Sequence, residues 1–357
     1  SLVDPVRGTS YQFTHLRRAL DAGEPYRVER ALALEAGFHA TFGSPHSEAC
    51  LKVLAQLREL LAQYPSAHGD GLVALMAGCE AIGTGRFSDS RVQHEQAVAI
   101  FREKCPGMTW ELNTSLQYLA MALTWLGELG AARALVREAQ AVAEVRNDLY
   151  ALTNFQLRSG PWLALIDDTP ELVEREGQVA IGRFSRAGFF IQHFWGVHGG
   201  VISELYLGQA GRARERYLAS LGPVRDSGLL RIQITRVLYG WLDGITALEV
   251  GDLGAVRAAA KALEGEQINW GRGLAALLSA ALAERAGERA RAQALLTAGA
   301  EQLDALGVRL HAAAARLALA TLQPESEQAA ARAKAEAWFA ERGVKRPELF
   351  ARALLPW

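Results

Sequence analysis

Apolar positions recur along this chain at helical spacing. Leu112, Leu116, Leu119, Leu123 and Leu126 fall at i, i+4, i+7, i+11 and i+14, one face of a helix that ends at Gly127. Alanine, leucine, arginine and glutamate fill such segments, β-branched residues form no alternating runs, and prolines lie mostly between the periodic stretches. The pattern predicts an all-α chain. Its helices end in a shared form, a glycine, a short polar turn and a new Ala-rich helix: "TGRFSDSRVQHEQA" at Gly85, "LGELGAARALVREA" at Gly127, "LGQAGRARERYLAS" at Gly208, "VGDLGAVRAAAKAL" at Gly251 and "AGERARAQALLTA" at Gly287. Gly43 in "TFGSPHSEA" adds a sixth case, and Asp167 in "IDDTPELVE" fills the slot between Gly127 and Gly208 where glycine is missing. The series 43, 85, 127, 167, 208, 251, 287 advances by 42, 42, 40, 41, 43 and 36 residues.

A glycine just past a helix end commonly takes the left-handed conformation that closes the helix. Each unit is then a pair of antiparallel helices, and helix ends are expected within a few residues of every slot. One hairpin cannot bury both its faces, so neighbouring hairpins must stack. We expect an α-solenoid of about eight antiparallel hairpins, tetratricopeptide-like but with a period near 40 residues instead of 34. Length alone suggests two domains for 357 residues. A repeat array escapes that limit, so residues 1–357 are expected to form a single solenoid. Within it, 1–9 would be an N-terminal linker or remnant, and 324–357 a C-terminal capping hairpin. The chain begins with Ser1, as a fragment or processed form would.

Charge changes the picture by exclusion. Thirty-eight basic and 39 acidic residues leave a net charge of −1, and the basic residues are scattered along helices. No electrostatic footprint for nucleic acid results. Cys50, Cys79 and Cys105 are odd in number and lack CxxC spacing, which fits reduced core cysteines inside helices of a cytoplasmic protein. No secretory leader and no uncharged apolar run of membrane-spanning length is present, so no membrane partner is expected.

The candidate chemistry centres on "GFFIQHFWGVHGG", residues 188–200, at the start of a helix running to Gly208 that the repeat count makes the second helix of the fifth unit. Phe190, Phe194, Val197, Val201 and Leu205 form one apolar face, and Ile191, Trp195, Ile202 and Tyr206 another. The remaining strip, Gln192, Gly196, Gly199 and Ser203, is small and polar. It suits close approach of a neighbouring helix or a shallow pocket floored by backbone, to which Gln192, His193 and Trp195 would contribute. Close packing is the favoured alternative.

Catalytic and metal signatures fail on inspection. "DDTPE" at Asp167–Glu171 is the kind of acidic cluster that holds magnesium diphosphate in class I terpene synthases, but the second motif is missing: "NDLYALTNF" lies upstream and has Ala151 and Phe155 at ligand positions. Asp167 also occupies the turn slot, and Pro170 suits the first turn of the next helix. "HEQAV" at His94 lacks a second zinc-binding histidine, "GTGRFS" at Gly83 follows a helix, and no phosphate loop or nucleophile elbow occurs. Gly240 and Gly244 read as a close-packing face, and Gly160-Pro161 as a break within a long helix. No catalytic residue, metal or cofactor is expected.

"AEAWFAERGVKRPELFARALLPW" at the C-terminus, "YRVERALALEA", "CPGMTWELNTSLQYLAMALTWLG", "NDLYALTNFQLRSG" and "GFFIQHFWGVHGGVISELYLG" together span nearly the whole chain. This texture resembles the C-terminal region of large bacterial serine/threonine protein kinases in which the kinase domain is followed by an AAA-type signalling ATPase and a helical-repeat tail. The resemblance implies a sensor or docking tail that binds a protein, a peptide or a small effector, its own kinase and ATPase domains among the candidates, and regulates those domains. The expected function is a non-catalytic sensor or scaffold using a curved helical surface. The alternative is a small-molecule effector receptor, or an all-α enzyme, with a pocket near His193.

Overall fold

The structure, a computed structural model, describes residues 5–184 and 188–357, and no strand occurs among them. After α1 (Pro5–Ala22) come eight hairpins among the described residues. They are α2 (Pro25–Thr41) with α3 (Ser47–Gln63), α4 (Ala67–Gly83) with α5 (Phe87–Glu103), and α6 (Thr109–Trp125) with α7 (Leu129–Val145). In the fourth, α8 (Leu149–Asn154), a π turn (Phe155–Ser159) and α9 (Gly160–Ile166) run on into one another and pair with α10 (Glu171–Phe184). Then follow α11 (Ile191–Tyr206) with α12 (Ala210–Asp226), α13 (Gln233–Glu249) with α14 (Leu253–Gly265), α15 (Asn269–Arg285) with α16 (Arg289–Ala305), and α17 (Arg309–Thr321) with α18 (Glu325–Ala340). The short α19 (Pro347–Leu354) closes the array.

Every expected turn slot is a helix break, and the glycines at 43, 85, 127, 208, 251 and 287 all have φ between 72° and 81°. The glycine-free slot differs by one residue. Asp168, at φ 54°, takes the left-handed position, while Asp167 is the helix-capping residue before it. An aspartate tolerates this conformation better than most side chains. Alternating with these are turns between hairpins, where Gly107, Asn147, Gly228, Gln267 and Gly307 also have positive φ. Two of these five lack glycine, which hides the second series from a glycine count. Residues 5–9, expected to be linker, belong to α1, and residues 1–4 lie outside the described residues. Cys105 sits in the turn after α5 and not in a helix. Residues 325–354 form α18, which pairs with α17, and the short α19.

The two helices of a hairpin have different roles. α7 buries only the stripe Leu129, Ala132, Val136, Ala139 and Ala143, so it is an outer helix with a solvated face. By contrast α4, α6, α11, α13, α15 and α17 are buried nearly all round. The stretch from 191 thus belongs to the first, inner helix of its hairpin and not to the second.

The inner helices are covered because the array closes on itself. Ser44, beside the first hairpin turn, donates its N–H to Gln233 Oε1 at 2.8 Å, 189 residues away. The Gly85 turn stands on the Trp270 ring and the Gly127 turn on Trp338. Lys345 donates its N–H to Ile166 O at 3.1 Å and its Nζ to Asp167 O at 3.0 Å. α19 packs against both α11 and α17. The space that an open solenoid would offer to a ligand is filled by Phe87, Trp125, Trp241, Trp270 and His311, whose rings meet with centroids 5.0–6.2 Å apart. The curved inner surface expected for recognition is therefore core.

Candidate functional site

The π turn lies where Pro161, which has no N–H to donate, would interrupt an α-helix. One wider turn absorbs the break, and such π turns often serve functional positions. Here it carries Arg158 into the interior. The guanidinium lies over the rings of Tyr118 at 4.5 Å and Trp195 at 4.8 Å, close enough for cation–π attraction. Among the described residues no carboxylate lies within ion-pair distance of it, and its buried Nε has no hydrogen-bond partner. A cavity of ≈ 20 Å³ opens beside it, walled by Trp125, Trp162 and Trp195, with Thr124, Ser159 and His198 as its other polar members. That volume suits about one ordered water or a group of similar size.

The surrounding titratable groups are held neutral. Burial pushes the Cys79 thiol up to about 12 although Arg158 pulls it down. Burial, aided by the Arg158 charge, lowers His94 to about 3. Burial alone lowers His198 to about 4, and burial with the nearby His198 lowers His311 to about 3. Arg158 is therefore a positive charge among neutral neighbours.

The residues singled out from the sequence divide between this cavity and a packing seam. Trp195 lines the cavity. Gln192 is buried and donates to Asn154 Oδ1 at 3.2 Å. Ser203 donates to Pro170 O at 3.2 Å. A Cβ on Gly199 would stand 2.5 Å from Pro161 Cγ, whereas one on Gly196 would meet only Ile181 and Leu157 at ordinary contact distance. The strip Gln192, Gly196, Gly199, Ser203 is thus the seam against the preceding hairpin. His193 is half-buried at the start of α11, where Nδ1 accepts the Phe190 N–H at 3.1 Å, amid Phe184, Phe189 and Phe190. It does not line the cavity. His198, five residues on, does.

These placements set an expected order of damage. Gly199→Leu should cost about 1–3 kcal/mol by overpacking the seam. Trp195→Ala, which removes a buried ring, should cost roughly 3–5 kcal/mol, and His193→Ala much less. Chemical denaturation of the three variants measures the order. A loss for His193→Ala equal to that for Trp195→Ala would contradict the placement.

Two further polar clusters are structural. Asp167 is held by Arg133 at 2.8 Å and Arg137 at 3.1 Å, and Asp168 accepts the Tyr206 hydroxyl at 2.8 Å, so the acidic pair is engaged within the protein. Between α2, α4 and α6, buried His68 lies 2.7 Å from Glu29 and 3.6 Å from Glu111. Glu111 and Glu29 push His68 up to about 9, and the same contact draws Glu111 down. Among the described residues no group of three or more His, Cys, Asp or Glu side chains is placed to hold a metal ion, and no helix is long and apolar enough to cross a membrane.

On the outside, α3 and α5 flank α4 and leave an open groove of ≈ 880 Å³. Leu61, Val73 and Ile100 give it an apolar floor, and Arg58, Glu103 and Lys104 a charged rim. No family model matches the chain, and no curated protein matches it.

Proposed function

We propose that the protein is a non-catalytic interaction module, a sensor or scaffold that engages a protein or peptide segment on its outer surface. The observation that carries this reading is the groove between α3 and α5, whose apolar floor and mixed-charge rim suit a peptide segment presenting both apolar and charged side chains. The closed interior leaves no comparable open surface on the inner helices. Attachment to a kinase–ATPase signalling protein rests on the sequence resemblance alone. The three cysteines are free, which supports a reducing compartment such as the cytoplasm.

Affinity capture with the purified chain, read by mass spectrometry, tests the proposal when run beside Ala99→Trp. Ala99 is exposed on the groove wall, so a tryptophan there fills the groove without entering the core. A partner retained by the parent chain and lost by the variant is the expected result. Equal capture by both removes the groove from the reading. Turnover of ATP that survives repurification would overturn the non-catalytic assignment.

A further inference from the structure

A cation inside a protein needs a counter-charge or a dense set of acceptors, since removing it from water costs several kcal/mol. Arg158 has neither. Its two aromatic neighbours offset part of that cost, but they act on the face of the guanidinium, and its buried Nε has no partner. Arg158, Ser159 and His198 all line the cavity, the first two carried by the π turn. Among the described residues neither Ser159 Oγ nor the His198 ring makes a hydrogen bond within the protein; the ring contacts of His198 are with Trp162, Phe194 and Trp195. The cavity therefore gathers a guanidinium, two hydroxyls and a neutral imidazole, and no carboxylate among its lining balances the charge. A small oxyanion would complete the set.

We infer that Arg158, Ser159 and His198 form an internal binding site for a small planar monoanion of the carboxylate class. Two features define the class. The guanidinium fork matches the two oxygens of a carboxylate. The enclosed volume of ≈ 20 Å³ sets the upper size near formate and excludes a bulkier acid. Trp125, Trp162, Met121 and Leu238 line the rest of the cavity with apolar surface, which suits a hydrogen substituent and not a second charge. The site draws together α6, the π turn, α9, α11 and α13, so an anion held there would tie three successive inner hairpins to a fourth. This gives the interaction module a small-ligand input; binding itself is independent of any partner, and the groove reading fails or stands on separate measurements.

Three tryptophans line the cavity and report directly on its occupancy. The purified chain should be titrated with sodium acetate and sodium formate at constant ionic strength made up with sodium fluoride, following tryptophan emission and the thermal midpoint. A saturable emission change with a millimolar or tighter midpoint, and a rising thermal midpoint, is expected for formate, with a weaker response to the larger acetate. Arg158→Gln should abolish it. Arg158→Lys, which keeps the charge but not the fork, should weaken it at least tenfold, and Ser159→Ala severalfold, so the test survives if Arg158→Gln fails to fold. A response to chloride equal to that for formate would overturn the carboxylate assignment. An unsaturable response, or one unchanged in Arg158→Lys and Ser159→Ala, would overturn the site.

Discussion

Gly85→Ala should destabilise the protein by about 3–5 kcal/mol, while Gly287→Ala, at the equivalent slot of another hairpin, should cost only about 1–2. Both glycines have left-handed φ, 81° and 78°, so both substitutions carry the same backbone penalty. They differ in what the new methyl meets. At Gly287 nothing lies within 4 Å, whereas at Gly85 the Cβ would stand 2.3 Å from Trp270 Cδ1. Trp270 cannot retreat, because it is 1 % exposed and edge-packed on Phe87 and Trp125. The excess loss at Gly85 therefore measures the closure of the array, not the turn. Trp125 also walls the Arg158 cavity, so Gly85→Ala should shift tryptophan emission where Gly287→Ala leaves it alone. Urea denaturation and emission spectra of the two variants decide the matter, and equal losses would mean that the distant contact contributes nothing.

The hairpins were legible because local chemistry repeats: a helix stripe, a left-handed glycine and an Ala-rich return are all set within about 40 residues. The one-residue offset at Asp168 arose because "DD" offers two candidates, and only backbone dihedrals distinguish the capping residue from the left-handed one. Turns at Asn147 and Gln267 escaped because they reach positive φ without glycine. Closure was not legible at all. The pairing of Ser44 with Gln233 depends on the small rotation from one hairpin to the next, summed along the array, and no local pattern encodes that sum.

The same reasoning separates the seam from the cavity. Gln192, Gly199 and Ser203 stand out in the sequence as a strip, yet small polar residues at helical spacing serve packing and recognition alike, and the deciding neighbour, Pro161, lies on another hairpin. Arg158 carried a signal that motif reading passes over. It is the sole charged residue between Asp148 and Asp167, an 18-residue stretch of two short helices and a π turn. A single charge in so apolar a segment, next to Gly160-Pro161, marks a side chain that the fold must bury or use.

Acid should unfold this protein unusually early. His94, His198 and His311 lie in the interior with their pKa values lowered to about 3, 4 and 3, against 6.5 for an ordinary histidine. Neither nitrogen of His94 has a hydrogen-bond partner, and His311 is wedged between Trp125 and Trp241, so no hydrogen-bond acceptor offsets the burial that disfavours their charged forms. Groups whose pKa is depressed in the folded state contribute stability that is complete above about pH 6.5 and is lost as pH falls toward the folded values. Near pH 5 the unfolded chain binds about three protons that the folded chain refuses, a slope on the order of 4 kcal/mol per pH unit. His68 works in the other direction. Raised to about 9 by Glu111 and Glu29, it stabilises fully below about pH 6.5, and its contribution disappears as pH rises through 9. Stability should therefore peak near neutrality, with a steep acid limb and a shallow alkaline one. Urea midpoints between about pH 4.5 and 9.5 measure both limbs. His311→Phe keeps the stacked ring and removes one titrating group, so it should take about a third off the acid slope. His68→Gln leaves Glu29 and Glu111 facing each other without their cation, and should lower stability at pH 7 by roughly 3–5 kcal/mol while flattening the alkaline limb. An acid limb untouched by His311→Phe would mean that the interior histidines admit protons while the protein stays folded, and that the closed core has water at its centre.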